Sequence, residues 1–124
     1  MSWWILIAVT VLLAVFLFFR MKKPSYLRTL DQEEFTKNYR KAQLIDVREE
    51  REFKTGHILG ARNIPLSQLR MRNQEIRPDK PVYLYCQNGS RSVQAAKLIH
   101  KKRGADDIAM LKGGFKKWSG KIKK

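Results

Sequence analysis

Between Trp3 and Phe19 only Thr10 is not apolar. A run of this kind cannot be folded into a small water-soluble core, so it divides the chain before any motif is considered. As a helix these residues span roughly 25 Å, slightly short of the ~30 Å hydrocarbon layer of a bilayer. Trp3 and Trp4 suit one interface, and Arg20, Lys22 and Lys23 suit the other. A cleaved signal peptide is the rival reading. It needs a basic stretch before the apolar run and a small-x-small site after it. The first five residues carry no basic side chain, and Phe18-Phe19-Arg20-Met21 is a poor cleavage site. Residues 1–21 are therefore read as a single transmembrane anchor and 22–25 as a juxtamembrane linker.

All 26 Lys and Arg and all 11 Asp and Glu lie from Arg20 onward, so the net charge of +15 sits on the remainder of the chain. Basic residues crowding the C-terminal flank of the anchor predict that this remainder faces the cytoplasm, with the N-terminus outside. No aromatic-basic stacking platform or groove-reading motif accompanies the charge. Attraction to anionic lipid headgroups, or plain solubility, is thus preferred over nucleic acid. The basic end of the chain, 120–124, reads as a tail. One cysteine excludes an internal disulfide and a Cys/His zinc cluster, so no metal and no other cofactor is expected. A lone free thiol also suits a reducing compartment.

The remaining residues, 26–119, have room for one small domain. Asp31 to Glu34 resembles a capping box that opens a helix to about Tyr39. Gln43 to Val47 reads as a buried strand ending in an acid, and Glu49 to Lys54 as a charged helical turn closed by Gly56. Ile58 to Pro65 holds an extended piece, and Ser67 to Ile76 a helix of moderate pattern. A central strand, Pro81 to Tyr85, leads into Cys86-Gln87-Asn88-Gly89-Ser90-Arg91-Ser92. Val93, Ala96 and Ile99 then share one helical face, with Gly104 as the C-terminal cap. Ile108 to Leu111 makes a further strand, and Gly113-Gly114 turns into a short helix bearing Phe115 and Trp118. Strands alternating with helices predict an α/β domain, a central parallel sheet flanked by helices. Ligand sites in such sheets lie beyond the carboxyl ends of the strands, where Asp46 and Cys86 both fall.

The cysteine stands where a strand stops and a helix starts. Unpaired N–H groups and the helix dipole favour an anion there, and the same field favours a thiolate, the nucleophilic form of cysteine. Arg91 adds a positive charge, and Gly89 lets the backbone curl. A thiol presented this way is a candidate reactive nucleophile, provided that it is accessible. The bland alternative is a small hydrophobe at a strand end.

Leu44-Ile45-Asp46-Val47-Arg48-Glu49, Glu52-Phe53 and Gly56 to Pro65 resemble the first signature of rhodanese-like domains. Tyr83 to Ser92 resembles their active-site loop, and Leu111-Lys112-Gly113-Gly114-Phe115 with Trp118 their closing segment. The resemblance implies a five-stranded parallel domain and sulfurtransferase chemistry. Cys86 would carry sulfane sulfur as a persulfide from a thiosulfate-like donor to a thiophilic acceptor, small molecule or protein. Gln87, Asn88, Gly89, Ser90, Arg91 and Ser92 would cradle the substrate, and Asp46 and Arg48 would brace the site. His57 matches a structural position. A solvated or salt-bridged face is the plain reading of Asp46, Arg48 and Glu52. With no second cysteine the sulfur must leave to an external acceptor. A phosphatase or arsenate reductase is disfavoured: four residues rather than five separate Cys86 from Arg91, and Tyr85 replaces the histidine of that signature. A tethered binding or thiol-sensing module on the same fold is the main alternative.

Overall fold

The computed structural model describes residues 2–124; Met1, the first residue of the segment read as an anchor, lies outside it. Helix α1, Trp3–Met21, is apolar on every face, and its large side chains from Trp3 to Phe19 are exposed. Its 18-residue window Trp3–Arg20 has a mean hydropathy of 2.3 and is long and apolar enough to cross a membrane. Thr10 turns its hydroxyl back onto the Leu6 carbonyl at 2.8 Å, so the single polar group in the run is satisfied within the helix.

The rest of the chain is an α/β sandwich. Strands β1 (Leu27–Leu30), β2 (Gln43–Asp46), β3 (His57–Ile58), β4 (Arg62–Asn63), β5 (Val82–Tyr85), β6 (Ile108–Leu111) and β7 (Ile122–Lys123) alternate with α2 (Gln32–Asn38), α3 (Glu50–Thr55), α4 (Leu69–Arg72) and α5 (Ser90–Arg103). The main sheet has the order β1-β6-β5-β2-β4, and every adjacent pair is parallel. From β2 the chain moves outward to β4; from β5 it moves the other way, to β6. Neighbouring strands whose connections diverge leave a crevice at their carboxyl ends. The register sets Asp46 opposite Tyr85, so Cys86 emerges at that crevice beside the end of β2.

One core face packs Ile45, Val47, Leu84 and Met110 against Leu69, Val93, Ala96 and Ile99. The other packs Leu44, Tyr83, Tyr85 and Leu111 against Phe35, Tyr39, Phe115 and Trp118. Val93, Ala96 and Ile99 share the buried face of α5, as their spacing requires, and Gly104 ends that helix at a φ of 70°. At α2, Asp31 caps through its side chain, which accepts the Glu34 N–H at 2.8 Å.

Three segments differ from expectation. Leu27–Leu30, given no strand by its sequence pattern, pairs with β6 from Leu27↔Ile108 to Leu30↔Leu111. Ser67 to Ile76 does not form one helix but breaks into a 3₁₀ turn, the single-turn α4, and another 3₁₀ turn. Only Leu69 in this stretch and Ile76 at its end are fully buried, too few for a continuous apolar stripe. The expected tail contains β7, antiparallel to β3 through His57↔Lys123 and Ile58↔Ile122.

Ile99 is wholly buried between α5 and the sheet. Replacing it with Ala should cost about 2–5 kcal/mol of domain stability, read as a lower urea midpoint in detergent.

Candidate active site

The loop is built on two backbone conditions. Gly89 has a φ of 107° and immediately precedes α5, so the chain turns and starts a helix within one residue. Gly114 has a φ of 68°, and a Cβ there would lie 2.6 Å from both the Cys86 and the Gln87 carbonyl oxygens. That close approach lets Phe115 N–H donate to the Cys86 carbonyl at 2.7 Å and Lys116 N–H to the Gln87 carbonyl at 3.1 Å. The loop is therefore held from below by the segment that follows β6.

The Cys86 sulfur points into the loop and accepts the Gly89 N–H at 2.8 Å. Cys86 is nevertheless fully buried, where the sequence reading called for a thiol that donors can reach. The reason is the tight turn, with Gly114 packed beneath its carbonyls. Gln87, Asn88 and Ser90 form the exposed lip above it.

The loop side chains divide into distinct roles. The Asn88 carboxamide oxygen accepts from the Ser90 backbone N–H at 3.2 Å and the Ser90 hydroxyl at 3.0 Å, so these two close the turn on themselves. Arg91 does not offer a free charge to the sulfur. Its guanidinium pairs with Glu52 at 3.0 Å, tying α5 to α3. Ser92 is fully buried in the first turn of α5, and its hydroxyl has no partner among the described residues.

Asp46 and Arg48 form a buried ion pair. The carboxylate accepts from Arg48 Nη2 at 2.8 Å, from Nε at 3.1 Å and from the Arg48 backbone N–H at 2.9 Å. The guanidinium reaches further, to the Gly56 carbonyl at 2.6 Å and the Gln87 side chain at 3.2 Å. It also lies 4.2 Å from the centre of the Phe115 ring. Burial works against the charge on Arg48, but its hydrogen bonds to Asp46 and that carboxylate's field outweigh burial and leave its pKa raised. Beside it, the Tyr85 hydroxyl accepts the Ile58 N–H at 3.0 Å. Burial first, and the Asp46 charge second, push the Tyr85 phenol far upward, so it stays protonated.

Gly114, Phe115, Gly56 and Tyr85 belong to this arrangement although none was named as a site residue from sequence. The Gly113-Gly114 pair was the available signal: adjacent glycines before an aromatic mark a place where another backbone comes close. His57 stacks on Phe53 with ring centres 3.6 Å apart and its Nδ1 is 2.9 Å from the Phe53 carbonyl, which fits a structural position.

Fold and loop together define a class: an α/β domain whose one cysteine lies in a glycine-turned loop at the carboxyl edge of a parallel sheet. The rhodanese-like domain model matches residues 31–121, and the chain belongs to that family. It is 58% identical over 119 residues to the uncharacterized protein YqhL of Bacillus subtilis (strain 168), covering 93% of this chain and 94% of that one. It is 34% identical to the thiosulfate sulfurtransferase GlpE of Shewanella oneidensis, covering 61% of this chain and 74% of the relative. The human single-domain sulfurtransferase TSTD1 superposes with a TM-score of 0.62 at 28% identity, over 73% of this chain and 93% of that one.

Two substitutions check the geometry. Gly114→Ala should displace the loop and remove most Cys86 reactivity while the domain still folds, read by the rate of thiol alkylation or thiosulfate uptake together with circular dichroism. Arg48→Met leaves the Asp46 carboxylate buried without its cationic partner and should cost about 3–5 kcal/mol; the double variant with Asp46→Asn should recover part of that loss in urea unfolding.

Proposed function

We propose that the protein is a membrane-anchored sulfurtransferase that carries sulfane sulfur on Cys86. The observation that carries the reading is the Cys86 sulfur aimed at the Gly89 N–H in the loop that opens α5. The similarity to a thiosulfate sulfurtransferase supports it independently. In the first half-reaction the thiolate attacks the outer sulfur of a thiosulfate-like donor. A Cys86 S–S bond forms, the donor's S–S bond breaks, and sulfite leaves with the electron pair. The terminal persulfide sulfur carries the negative charge and takes hydrogen bonds from convergent amides of the loop. In the second half-reaction a nucleophilic acceptor attacks that terminal sulfur and the thiolate is regenerated. Cys86 is buried, so donor entry requires Asn88 and Ser90 to part from it. Arg48 would act through Gln87 as a brace rather than by touching the substrate.

Helix α1 would insert as the anchor, with the domain on the cytoplasmic side beside the basic flank at Arg20, Lys22 and Lys23. Full burial of the thiol favours one second reading, a tethered thiol- or persulfide-sensing module on the same fold.

Incubation with thiosulfate should add one sulfur atom to the intact protein by mass spectrometry, and Cys86→Ser should add none. Multiple turnovers with cyanide support the transferase; a persulfide that forms but never transfers supports the sensor; activity retained in Cys86→Ser overturns both. Protease added to sealed cells should spare the domain and cut it only after permeabilisation.

A further inference from the structure

One face of α5 is unlike the rest of the helix. Gln94, Lys97, Leu98 and Lys101 fall at the spacing i, i+3, i+4, i+7, which aligns them on one side. With Leu66, Arg70 and Arg20 they line a cavity of about 370 Å³ at the C-terminal end of α1. Lys97 fastens the junction, its Nζ donating to the Arg20 carbonyl at 2.7 Å. That carbonyl is among those a helix end leaves without an internal partner.

Four cations thus surround one cavity, and no acidic side chain lines it. Elsewhere on the domain several arginines find carboxylates, Arg28 with Asp107, Arg62 and Arg72 with Glu75, Arg77 with Asp79 and Arg91 with Glu52, although Arg40, Arg51 and Arg103 do not; the cavity differs in gathering four cations with no acid among them. Among the described residues, Arg20, Arg70, Lys97 and Lys101 enter no such pair. Like charges around a shared concavity repel unless an anion occupies it. Arginine and lysine together suit a phosphoryl group, the first as a planar fork and the second as a point charge. Leu66 and Leu98 add apolar wall to the same cavity.

Its height in the membrane selects the source of that phosphoryl group. Arg20 follows directly on Phe19, the last residue of the apolar run, so the cavity opens at the level of lipid headgroups. A second cavity, lined by Leu17, Arg20, Ser90, Val93 and Gln94, leads from the same helix end to the first turn of α5. We propose that the cavity of Arg20, Arg70, Lys97 and Lys101 binds the phosphate of an anionic lipid headgroup and so holds the Cys86 loop close to the bilayer surface. This rests on the reading of α1 as an anchor.

The test uses the full chain in zwitterionic detergent, titrated separately with short-chain phosphatidylglycerol, short-chain phosphatidylcholine and inorganic phosphate. Phosphatidylglycerol should bind at least about ten-fold more tightly than either of the others. The triple variant Arg70→Gln, Lys97→Gln, Lys101→Gln should weaken it by at least about ten-fold, while Lys37→Gln, Arg40→Gln, Lys41→Gln at the end of α2 and in the turn after it should change it less than about two-fold. Equal weakening by both triples would mean diffuse charge attraction and overturns the site. Phosphate binding as tightly as the lipid, or phosphatidylcholine binding equally well, overturns the proposed occupant. Flotation of the full chain with phosphatidylcholine vesicles in alkaline carbonate reads the anchor alone, so its failure is distinguishable from failure of the headgroup site.

Discussion

The guanidinium of Arg48 joins three pieces of chain and the ring of a fourth at one buried point. It is bound by the carboxylate at the end of β2, by the carbonyl at the end of α3 and by a side chain of the cysteine loop, and the Phe115 ring covers it. A buried cation is tolerated only when its hydrogen bonds are met and its charge is matched, so each partner is held by the cost of losing the others. This ties the loop's position to the sheet rather than to solvent-exposed turns. Such a pair contributes less to net stability than to fixing one arrangement over its competitors. Here the arrangement fixed is the distance between the end of β2 and the residue after Cys86.

The buried thiol gains meaning from that rigidity. The Cys86 and Gln87 carbonyls are held by two backbone donors from the Gly114 turn, and Asn88 and Ser90 satisfy each other. The sulfur therefore rests in a closed turn with a preset N–H donor, not in an open bowl. A preset donor needs no rearrangement when negative charge rests on the Cys86 sulfur, which is the advantage of a closed turn. The cost falls on entry. Of the lip, only Asn88 and Ser90 can move without disturbing the buried pair, since Gln87 is bound by Arg48 and by the Lys116 N–H.

What could be read in the sequence follows from where its signals are local. The helix faces of α5, the Asp31 cap and the buried runs of β2, β5 and β6 are stated by residue type and spacing, and the parallel order follows from their alternation. The strand Leu27–Leu30 was missed because its pattern, buried at both ends and open between, is too short to show a period. The pairing of Ile122–Lys123 with His57–Ile58 was missed because a lysine-rich end has no apolar alternation, and the contact spans most of the domain. Cys86, Asp46 and Arg48 were visible as motif residues. The Arg91–Glu52 pair was not, since the partners lie 39 positions apart and each also suits a solvated face. The burial of the thiol depends on Gly114, whose effect exists only once β6 has docked beside β5.

The position of α1 bears on how such a closed site would be supplied. Its apolar residues stop at Phe19, and a cavity lined by Leu17 and Arg20 continues to Ser90 on the lip of the cysteine loop. With the helix inserted, the lip and the bilayer interface are neighbours. A donor or acceptor concentrated at the membrane surface then meets the loop at a higher effective concentration than one free in solution. With α1 read as an anchor, the two parts of the chain would complement each other: the domain would hold a nucleophile that is slow to reach, and the anchor would shorten the search.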